Sequence, residues 1–143
     1  MFNMDTTKYI EIPFLDHGRN FDGCDCYGLV RLIYKEEFNQ KLPLFFEYSD
    51  SNSREEIQEL IDVNKPLLNA KQLEEPTYGC IVVLNMRGFA THMGVYIGNN
   101  MIIHILKGAN SLCERLNSPR LKSRVEGYYE IRPDTSSCIP ASA

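Results

Sequence analysis

The sequence contains no apolar run that approaches the roughly 18 residues of a membrane-spanning helix, and we expect a soluble protein. It has no excess of positive charge, because 15 Lys and Arg residues stand against 19 Asp and Glu residues, which gives a net charge of −4. This balance offers no electrostatic reason to expect nucleic acid or a membrane as a partner. A local basic run over residues 115–124 is predicted to be ordinary solvated surface.

The N-terminus lacks the basic leader, the apolar block and the small-residue cleavage site of a secretion signal, so we expect synthesis in a cytoplasm. The five cysteines, an odd number, argue against a disulfide framework in such a protein and predict reduced thiols. With 143 residues, of which 43% are hydrophobic, the chain is long enough for one domain with its own core. We assign this domain to residues 1–132 and predict a poorly ordered tail over residues 133–143.

The hydrophobic pattern changes along the chain from a helical to a strand-like period. A helix is predicted from Cys26 to Phe38, and a second helix over residues 54–63, where Ser53 and Glu56 have capping-box spacing. Strands are predicted at residues 80–86, 92–98, 101–106, 111–116 and 127–132. Helices followed by strands indicate an α+β fold, in which N-terminal helices pack on an antiparallel β-sheet.

The segment FDGCDCYGLVRL places Cys24 and Cys26 one residue apart, a spacing that fits a metal clip, half of a disulfide or a nucleophile. Asp25 suits the N-cap of the predicted helix, and Cys26 then lies in its first turn. Unpaired backbone N–H groups and the positive end of the helix dipole stabilise a thiolate there, so Cys26 is the candidate nucleophile. The chemical alternative is a tetrahedral zinc site with thiolate and imidazole ligands. Its members would be Cys24, Cys26, His92 and His104.

A cysteine nucleophile needs a base, and the sequence has three histidines, His17, His92 and His104. His17 stands in a predicted loop, where we expect an exposed position or one at the rim of the site. The other two lie on neighbouring predicted strands, along which side chains alternate between the faces of the sheet. A two-residue turn at residues 99–100 places these rings on opposite faces. A three-residue loop, or an equivalent bulge, places His104 opposite Gly94 and both rings on one face, so a shared role requires an odd connection.

Several segments, taken in order, resemble the NlpC-type, papain-like family of cell-wall cysteine peptidases. DCYGLVRLIYKE resembles the family's D-C-x-G-L-V segment, and HMGVYIGNNMIIH resembles its H-V-G-I-Y-I-G-(x)-H segment with the same spacing between histidines. The lead-in PFLDHGRNFDGCDC and the strand EEPTYGCIVVL also have counterparts. The closing segment LNSPRLKSRVEGYYEIR resembles that of the phage and prophage tail-associated branch. The resemblance covers residues 10–132.

This resemblance implies a papain-like fold and the hydrolysis of amide bonds by a Cys-His-His triad. It places the nucleophile on Cys26, the general base on His92 and the residue that orients the base on His104. The backbone N–H of Cys26 is the expected oxyanion donor. Contacts with the substrate are expected at Tyr27, Asp25 and Gly94. Neither a cofactor nor a metal is implied.

The resemblance also implies a substrate and a setting. The family acts on peptidoglycan stem peptides, typically at the bond between γ-D-glutamate and a diamino acid. The tail-associated branch implies a protein of the virion tail that contacts tail-tip or hub proteins and opens the host cell wall, or acts in the periplasm, during DNA entry.

Other functions remain open on the sequence alone. The domain can instead be a structural tail-tip or tail-assembly protein with a little-used active site, or an acyltransferase or amidase with a substrate outside the wall. Two departures from the family bear on this choice. Phe14 stands where many members have an active-site tyrosine, and Cys80 replaces the aspartate of the family's P-G-D strand.

Overall fold

The computed structural model describes residues 4–43, 54–64, 70–86 and 88–131. A short 3₁₀ helix comes first, followed by a two-stranded hairpin, helices α1 and α2, and the strands of a larger sheet. The elements are the 3₁₀ helix Thr6–Tyr9, β1 Arg19–Asn20, β2 Gly23–Cys24, α1 Cys26–Phe38, α2 Arg54–Asn64, β3 Ala70–Leu73, β4 Ile81–Met86, β5 Phe89–Gly98, β6 Met101–His104, β7 Leu112–Arg115 and β8 Val125–Ile131.

The larger sheet has the strand order β3-β8-β4-β5-β6-β7, and each pairing in it is antiparallel. Strand β8 returns from the end of the described chain to lie between β3 and β4, whereas β4 to β7 follow one another in sequence. The prediction of an α+β fold with an antiparallel sheet is confirmed. The prediction of a single domain over residues 1–132 stays a prediction, and the predicted tail lies outside the described residues.

Apolar side chains cover both faces of the sheet. Val95 and Ile103 belong to the core cluster that includes the buried stripe of α1. Leu84 and Ile102 point to the opposite face, where Leu121 from the segment after β7 packs against them. The centre of the sheet is therefore buried on both sides, which explains why β4 is a continuous apolar run without polar alternation.

Local sequence accounts for both ends of α1. The Asp25 side chain accepts a hydrogen bond from the backbone N–H of Gly28 at 2.8 Å, as an N-cap does. At the other end Asn39 adopts the left-handed conformation, with φ 51°, and its backbone N–H bonds to the carbonyl of Tyr34. The predicted bounds of this helix and its predicted cap are confirmed.

Three short elements were not predicted. Strand β3 reads AKQL, which has no apolar alternation, and it acquires its conformation by pairing with β8. Strands β1 and β2 have two residues each and lie in the predicted loop before α1. Helix α2 was predicted, but Ser53 of its predicted capping box lies outside the described residues. Neither helix α1 nor helix α2, the α-helices of the described chain, is long and apolar enough to cross a bilayer.

Candidate active site

The loop before α1 lies directly on the start of the helix. A methyl group at Gly28 would come within 1.9 Å of the carbonyl oxygen of Gly18, so only glycine admits this backbone contact. This contact holds residues 18–24 against the first turn of α1, which is the turn that begins with Cys26.

Asp25 ties the loop and the helix together by its carboxylate. Besides capping α1, it accepts hydrogen bonds from the backbone N–H of His17 at 2.9 Å and from the guanidinium of Arg19 at 2.9 Å. Asp25 is buried, and the Arg19 side chain is nearly so. Breaking a buried ion pair is costly because it leaves one charge without its counter-charge. The predicted substrate contact at Asp25 stays a prediction, since its carboxylate is engaged in these three contacts.

Tyr27 lies beside this ion pair. The guanidinium of Arg19 is 5.3 Å from the centre of the Tyr27 ring, and the Tyr27 hydroxyl donates to the carbonyl of Pro43 at 2.5 Å. The side chain is half-buried. Its contact with substrate also stays a prediction. His17 is half-buried as well and has a positive φ of 64°, and its backbone N–H donates to the carboxylate of Asp25.

A β-bulge supplies the odd connection between the two histidine strands. Asn99 and Asn100 form a two-residue turn with positive φ values of 52° and 63°, the geometry of a tight hairpin. The register shifts between Tyr96 and Gly98, so Ile97 is an extra residue in β5. The pairing of Val95 with Ile103 then brings Gly94 opposite His104. The condition derived from strand parity is met by the bulge and not by a longer turn.

Gly94 allows the two strands to approach at this point. A methyl group there would lie 2.8 Å from the Ile103 carbonyl oxygen and 3.0 Å from the Cβ of His104. The residue is buried. Its effect in this structure is to leave space beside His104, and the predicted contact with substrate stays a prediction.

A continuous chain of hydrogen bonds joins the two rings to a carboxylate. Nε2 of His92 lies 2.7 Å from Nδ1 of His104, and Nε2 of His104 lies 2.8 Å from the carboxylate of Glu114. Arg120 binds both carboxylate oxygens of Glu114 at 2.7 Å, and the Ser118 hydroxyl donates to the same carboxylate at 3.1 Å. The two rings are 5% and 1% exposed, so water competes little for these bonds.

The chain of bonds determines where each proton lies. The Arg120 guanidinium holds the pKa of the Glu114 carboxyl at about 2, so the carboxylate is ionised and can only accept. Nε2 of His104 must therefore donate to it, and the other nitrogen of the neutral ring accepts from Nε2–H of His92. The remaining nitrogen of His92, Nδ1, then carries a lone pair and no proton. A ring in this tautomer is a base at Nδ1.

Burial keeps both rings neutral. It lowers the pKa of His92 to about 3, with smaller contributions from His104 and Arg120 in the same direction. It lowers the pKa of His104 as well, although Glu114 acts in the opposite direction. At neutral pH the pair therefore has the tautomers described above and no net charge.

The sulfur of Cys26 packs against the strand that carries His92. Its Sγ lies 3.8 Å from the carbonyl oxygen of Thr91, and the backbone N–H of Met93 hydrogen-bonds to it. These two residues flank His92 on either side. Strand β6 ends at His104, opposite Gly94, so this part of β5 extends past β6 and its edge receives the sulfur. The structure thus places the Cys26 sulfur against the backbone on either side of His92, whose ring bonds to His104, and the Cys-His-His triad stays a prediction.

Burial opposes the thiolate that a helix start is expected to stabilise. Burial, followed by the negative charge of Asp25, raises the pKa of the Cys26 thiol to about 12, against the smaller effect of the Met93 and Tyr27 N–H groups. Desolvation of a charged sulfur thus outweighs the stabilisation that a helix start provides. A thiol pKa of about 12 favours the neutral thiol at neutral pH.

The groups proposed for zinc do not converge. Cys24 is buried, and its Sγ donates to the carbonyl of Asn20 at 3.1 Å. The ring nitrogens of His92 and His104 point at each other and at Glu114. Within the described ranges, no group of three or more His, Cys, Asp or Glu side chains has a geometry that could hold a metal ion.

Sequence reasoning missed Glu114 and Arg120. Arg120 belongs to the basic run predicted as solvated surface, and its side chain is 55% exposed, yet its guanidinium binds a carboxylate of the site. Glu114 pairs with Ile102, two residues before His104, so it lies on the face that carries the ring. The register between β6 and β7 is the signal that identifies Glu114. The sequence does not give this register, because the length of the loop between the two strands does not specify which residues pair.

The fold defines a papain-like domain, in which a helix that begins with a cysteine packs against an antiparallel sheet that carries two histidines. The model of the NlpC/P60 family matches residues 11–129. The chain belongs to the NlpC/P60 family.

The chain is similar to curated proteins named murein DD-endopeptidase MepS/murein LD-carboxypeptidase. It is 28% identical over 116 residues to the protein of Escherichia coli K12, a match that covers 80% of this chain and 52% of the relative. The proteins of the O6:H1 and O157:H7 strains match to the same extent. The chain therefore spans about half the length of these relatives.

Solved structures share the fold at low sequence identity. The NlpC/P60 domain of the peptidoglycan hydrolase SagA superposes with a TM-score of 0.57 at 15% identity, over 87% of this chain and 91% of that one. An NlpC/P60 protein of Bacillus cereus ATCC 10987 superposes with a TM-score of 0.61 at 20% identity, over 87% of this chain and 37% of that one. A lipoprotein-like member from Staphylococcus aureus Mu50 superposes with a TM-score of 0.59 at 16% identity, over 89% of this chain and 39% of that one.

Proposed function

We propose that this chain is a cysteine peptidase that hydrolyses amide bonds in peptidoglycan stem peptides, with Cys26 as nucleophile, His92 as base and His104 as orienting residue. The observation that supports this most directly is the hydrogen-bond chain from Glu114, which leaves a lone pair on Nδ1 of His92 while the Cys26 sulfur packs against the same strand. Family membership and the names of MepS and SagA, which refer to murein and peptidoglycan, support the substrate.

In the proposed reaction the Cys26 sulfur attacks the carbonyl carbon while its proton passes to Nδ1 of His92. Proton transfer accompanies attack because the resting thiol and imidazole are both neutral. The His92 imidazolium donates its Nε2–H to Nδ1 of His104 and is stabilised by this bond, while Nε2–H of His104 donates to the Glu114 carboxylate. The backbone N–H of Cys26, at the helix start, stabilises the oxyanion. Collapse expels the amine, which takes the proton from His92, and water activated by His92 then hydrolyses the thioester to the free acid and the thiol.

The bond that we propose for cleavage is the one between γ-D-glutamate and the diamino acid, on the basis of the motifs that resemble the NlpC-type peptidases. The MepS relatives are named for DD-endopeptidase and LD-carboxypeptidase activities, which concern other bonds. Mass spectrometry of the products separates these possibilities. Release of a free γ-D-glutamyl acid and a free diamino-acid amine is expected, and separation of cross-linked stems or loss of a terminal D-residue alone would contradict the proposed bond.

We further propose that the chain is a component of a phage tail, located in the virion tail and in contact with tail-tip or hub proteins, and that it acts at the host cell wall. The support is the resemblance of residues 116–132 to the closing segment of the tail-associated branch. Quantitative mass spectrometry of purified virions tests it. The chain should be present at a fixed number of copies per particle, and its absence from virions would contradict this setting.

The enzymatic proposal is tested by digestion of purified muropeptides with the wild type and with Cys26→Ala. We expect product from the wild type alone. Product from both proteins, or from neither, contradicts cysteine catalysis. The product also separates hydrolysis from acyl transfer, because hydrolysis in H₂¹⁸O places one ¹⁸O in the new carboxyl group, whereas transfer to an amine or alcohol acceptor does not.

A structural role in the tail is the second candidate, and two observations favour it: Phe14 stands at the position of the family's tyrosine, and the thiol of Cys26 has a raised pKa. A protein that is present in virions but inactive on muropeptides fits this role. An active protein whose Cys26→Ala variant still enters virions, but no longer opens the wall, fits the enzymatic role.

A further inference from the structure

The Glu114 carboxylate has two kinds of contact, one with the ring of His104 and one with the guanidinium of Arg120. On one side it accepts from Nε2 of His104 at 2.8 Å. On the other side Arg120 binds both of its oxygens at 2.7 Å, and Ser118 adds a third donor. The side chain of Glu114 is 14% exposed, whereas that of Arg120 is 55% exposed. A bidentate carboxylate-guanidinium contact fixes the orientation of the carboxylate as well as its charge.

We propose that Glu114 is a positioning residue for His92, acting through His104, and that Arg120 is its counter-charge, which allows Glu114 to orient the rings without protonating them. Neither residue reaches the sulfur. The activity part of this inference rests on the proposed function, whereas the tautomer part concerns the resting protein and can be measured without any substrate.

The orienting effect follows from the inventory of donors and acceptors. If the acceptor at Nε2 of His104 is removed, that ring is free to carry its proton on Nδ1 and to donate it to Nε2 of His92. His92 must then carry its proton on Nδ1, the nitrogen proposed to accept the thiol proton. The ring would present a donor to the sulfur in place of a lone pair. Glu114 prevents this reversal because an ionised carboxylate can only accept.

The balancing effect follows from charge. A lone carboxylate beside two buried rings favours their protonated forms, and a protonated His92 cannot act as a base. Arg120 opposes this effect on both rings. The other elements packed here contribute little charge: β4 brings Leu84, α1 brings the neutral thiol of Cys26, and α2 meets β5 through Gln58, whose side-chain oxygen accepts from Ala90.

The tautomers are measured by ¹⁵N NMR of histidine-labelled protein at neutral pH. In the wild type, His92 and His104 should both be protonated at Nε2 and bare at Nδ1. Glu114→Leu removes the acceptor and the charge, and we expect a mixture of tautomers in both rings. Glu114→Gln keeps an acceptor oxygen and should retain more of the wild-type tautomer. Wild-type tautomers in Glu114→Leu would overturn the proposed role of Glu114.

Kinetics separate positioning from substrate binding. Carboxylates that orient metal-bound histidines typically contribute about 10–100-fold, and by analogy we expect Glu114→Leu to lose a factor of about this size in kcat with little change in KM. Glu126→Gln is the matched control, because its carboxylate also accepts from a ring-bearing side chain, Tyr129, but lies on β8, away from the site. A loss confined to KM, or an equal loss in the control, would overturn the positioning role.

The counter-charge is tested by the pH profile. In Arg120→Gln the negative charge of Glu114 has no counter-charge and raises the pKa of His92. The acidic limb of the pH profile of kcat/KM should therefore move to higher pH, whereas Arg120→Lys should return it towards the wild-type position. An unmoved acidic limb in Arg120→Gln would overturn the role of Arg120. If near-UV circular dichroism shows that Glu114→Leu does not fold, the variants Glu114→Gln, Arg120→Gln and Arg120→Lys test the positioning role instead. If muropeptides are not cleaved at all, the NMR measurements alone test this role.

Discussion

The two halves of the candidate site are built in different ways. The cysteine half, from Phe14 to Gly28, is held by contacts between residues close in sequence: the cap by Asp25, its ion pair with Arg19, and the close approach of Gly18 to Gly28. The histidine half is held by pairing between strands, and it depends on a bulge at Ile97 and on a carboxylate from β7. The nucleophile is positioned by local structure, and the base is positioned by sheet register.

The largest effect is expected from deletion of Ile103, which shortens β6 by one residue before His104. His104 then lies opposite Val95 in place of Gly94 and turns to the face that packs against α1. We expect loss of the ring-to-ring hydrogen bond and a fall in kcat of about 10⁴-fold, the order seen when a catalytic histidine loses its orienting partner. Ile103→Val retains the length of β6 and is the control. Wild-type activity in the deletion would show that the histidine half does not depend on register.

A smaller but substantial effect is expected in the cysteine half from Asp25→Ala. This change removes the cap of α1 and leaves the buried Arg19 charge without its carboxylate, which typically costs about 3–5 kcal/mol of unfolding free energy. Urea unfolding measures the loss. Asp22→Ala, at an exposed position of the same loop, should leave stability nearly unchanged. Equal midpoints for the two variants would argue against the ion pair as the element that holds the loop.

Gly28→Ala tests the backbone contact by opposing two known effects. Alanine is favoured over glycine inside a helix by about 1 kcal/mol, but here its methyl group would lie 1.9 Å from the Gly18 carbonyl oxygen. Relief of such a clash costs about 1–3 kcal/mol, so we expect net destabilisation. Glu36→Ala, at an exposed position of α1, is the comparison variant and should be neutral or slightly stabilising. Stabilisation by Gly28→Ala would contradict the close approach.

The smallest effect is a pH dependence of stability that distinguishes the two halves. The folded pKa values of His92 and His104 lie below their ordinary value of about 6.5. On acidification below this value the unfolded chain binds more protons than the native state, so the unfolding free energy falls, by at most about 1.4 kcal/mol per pH unit for each ring. The stabilisation is fully present above this range and decreases as the pH falls.

Urea unfolding at about pH 7, 6 and 5 measures this slope in the wild type and in His92→Gln. The variant should show a shallower decrease because one of the two rings no longer takes up a proton on unfolding. Glu114 acts in the same direction, since its pKa is also lowered, but its stabilisation decreases only below its ordinary value of 4.5 and falls away towards a pH of about 2. A steeper slope in His92→Gln would contradict the neutral buried ring.

Much of the cysteine half could be predicted because its determinants are neighbours in sequence. The cap and the bounds of α1 follow from residue type and spacing. The charge state of Cys26 could not be predicted in the same way. The helix start is a local feature that lowers a thiol pKa, but the extent of burial depends on how β5 packs over the sulfur, and burial was the larger effect.

The histidine half shows the complementary limit. Strand alternation states the condition under which His92 and His104 share a face, because side chains alternate with a period of two. It does not say which of two connections the chain adopts. That choice depends on the energy of the whole sheet, in which Ile97 is accommodated as an extra residue so that apolar positions on both faces stay buried. No local sequence pattern predicts that Glu114 and Arg120 belong to the site.

Residue order alone was therefore enough to identify the helix, its cap, five of the six strands of the larger sheet and the family motifs, since these depend on short-range backbone preferences and spacing. The side of the ribbon on which the imidazoles lie, the proton positions along the chain that ends at Arg120, and the neutral state of the thiol required the folded arrangement. The physical reason is that register, desolvation and charge balance are set by groups that are distant in sequence and adjacent only after packing.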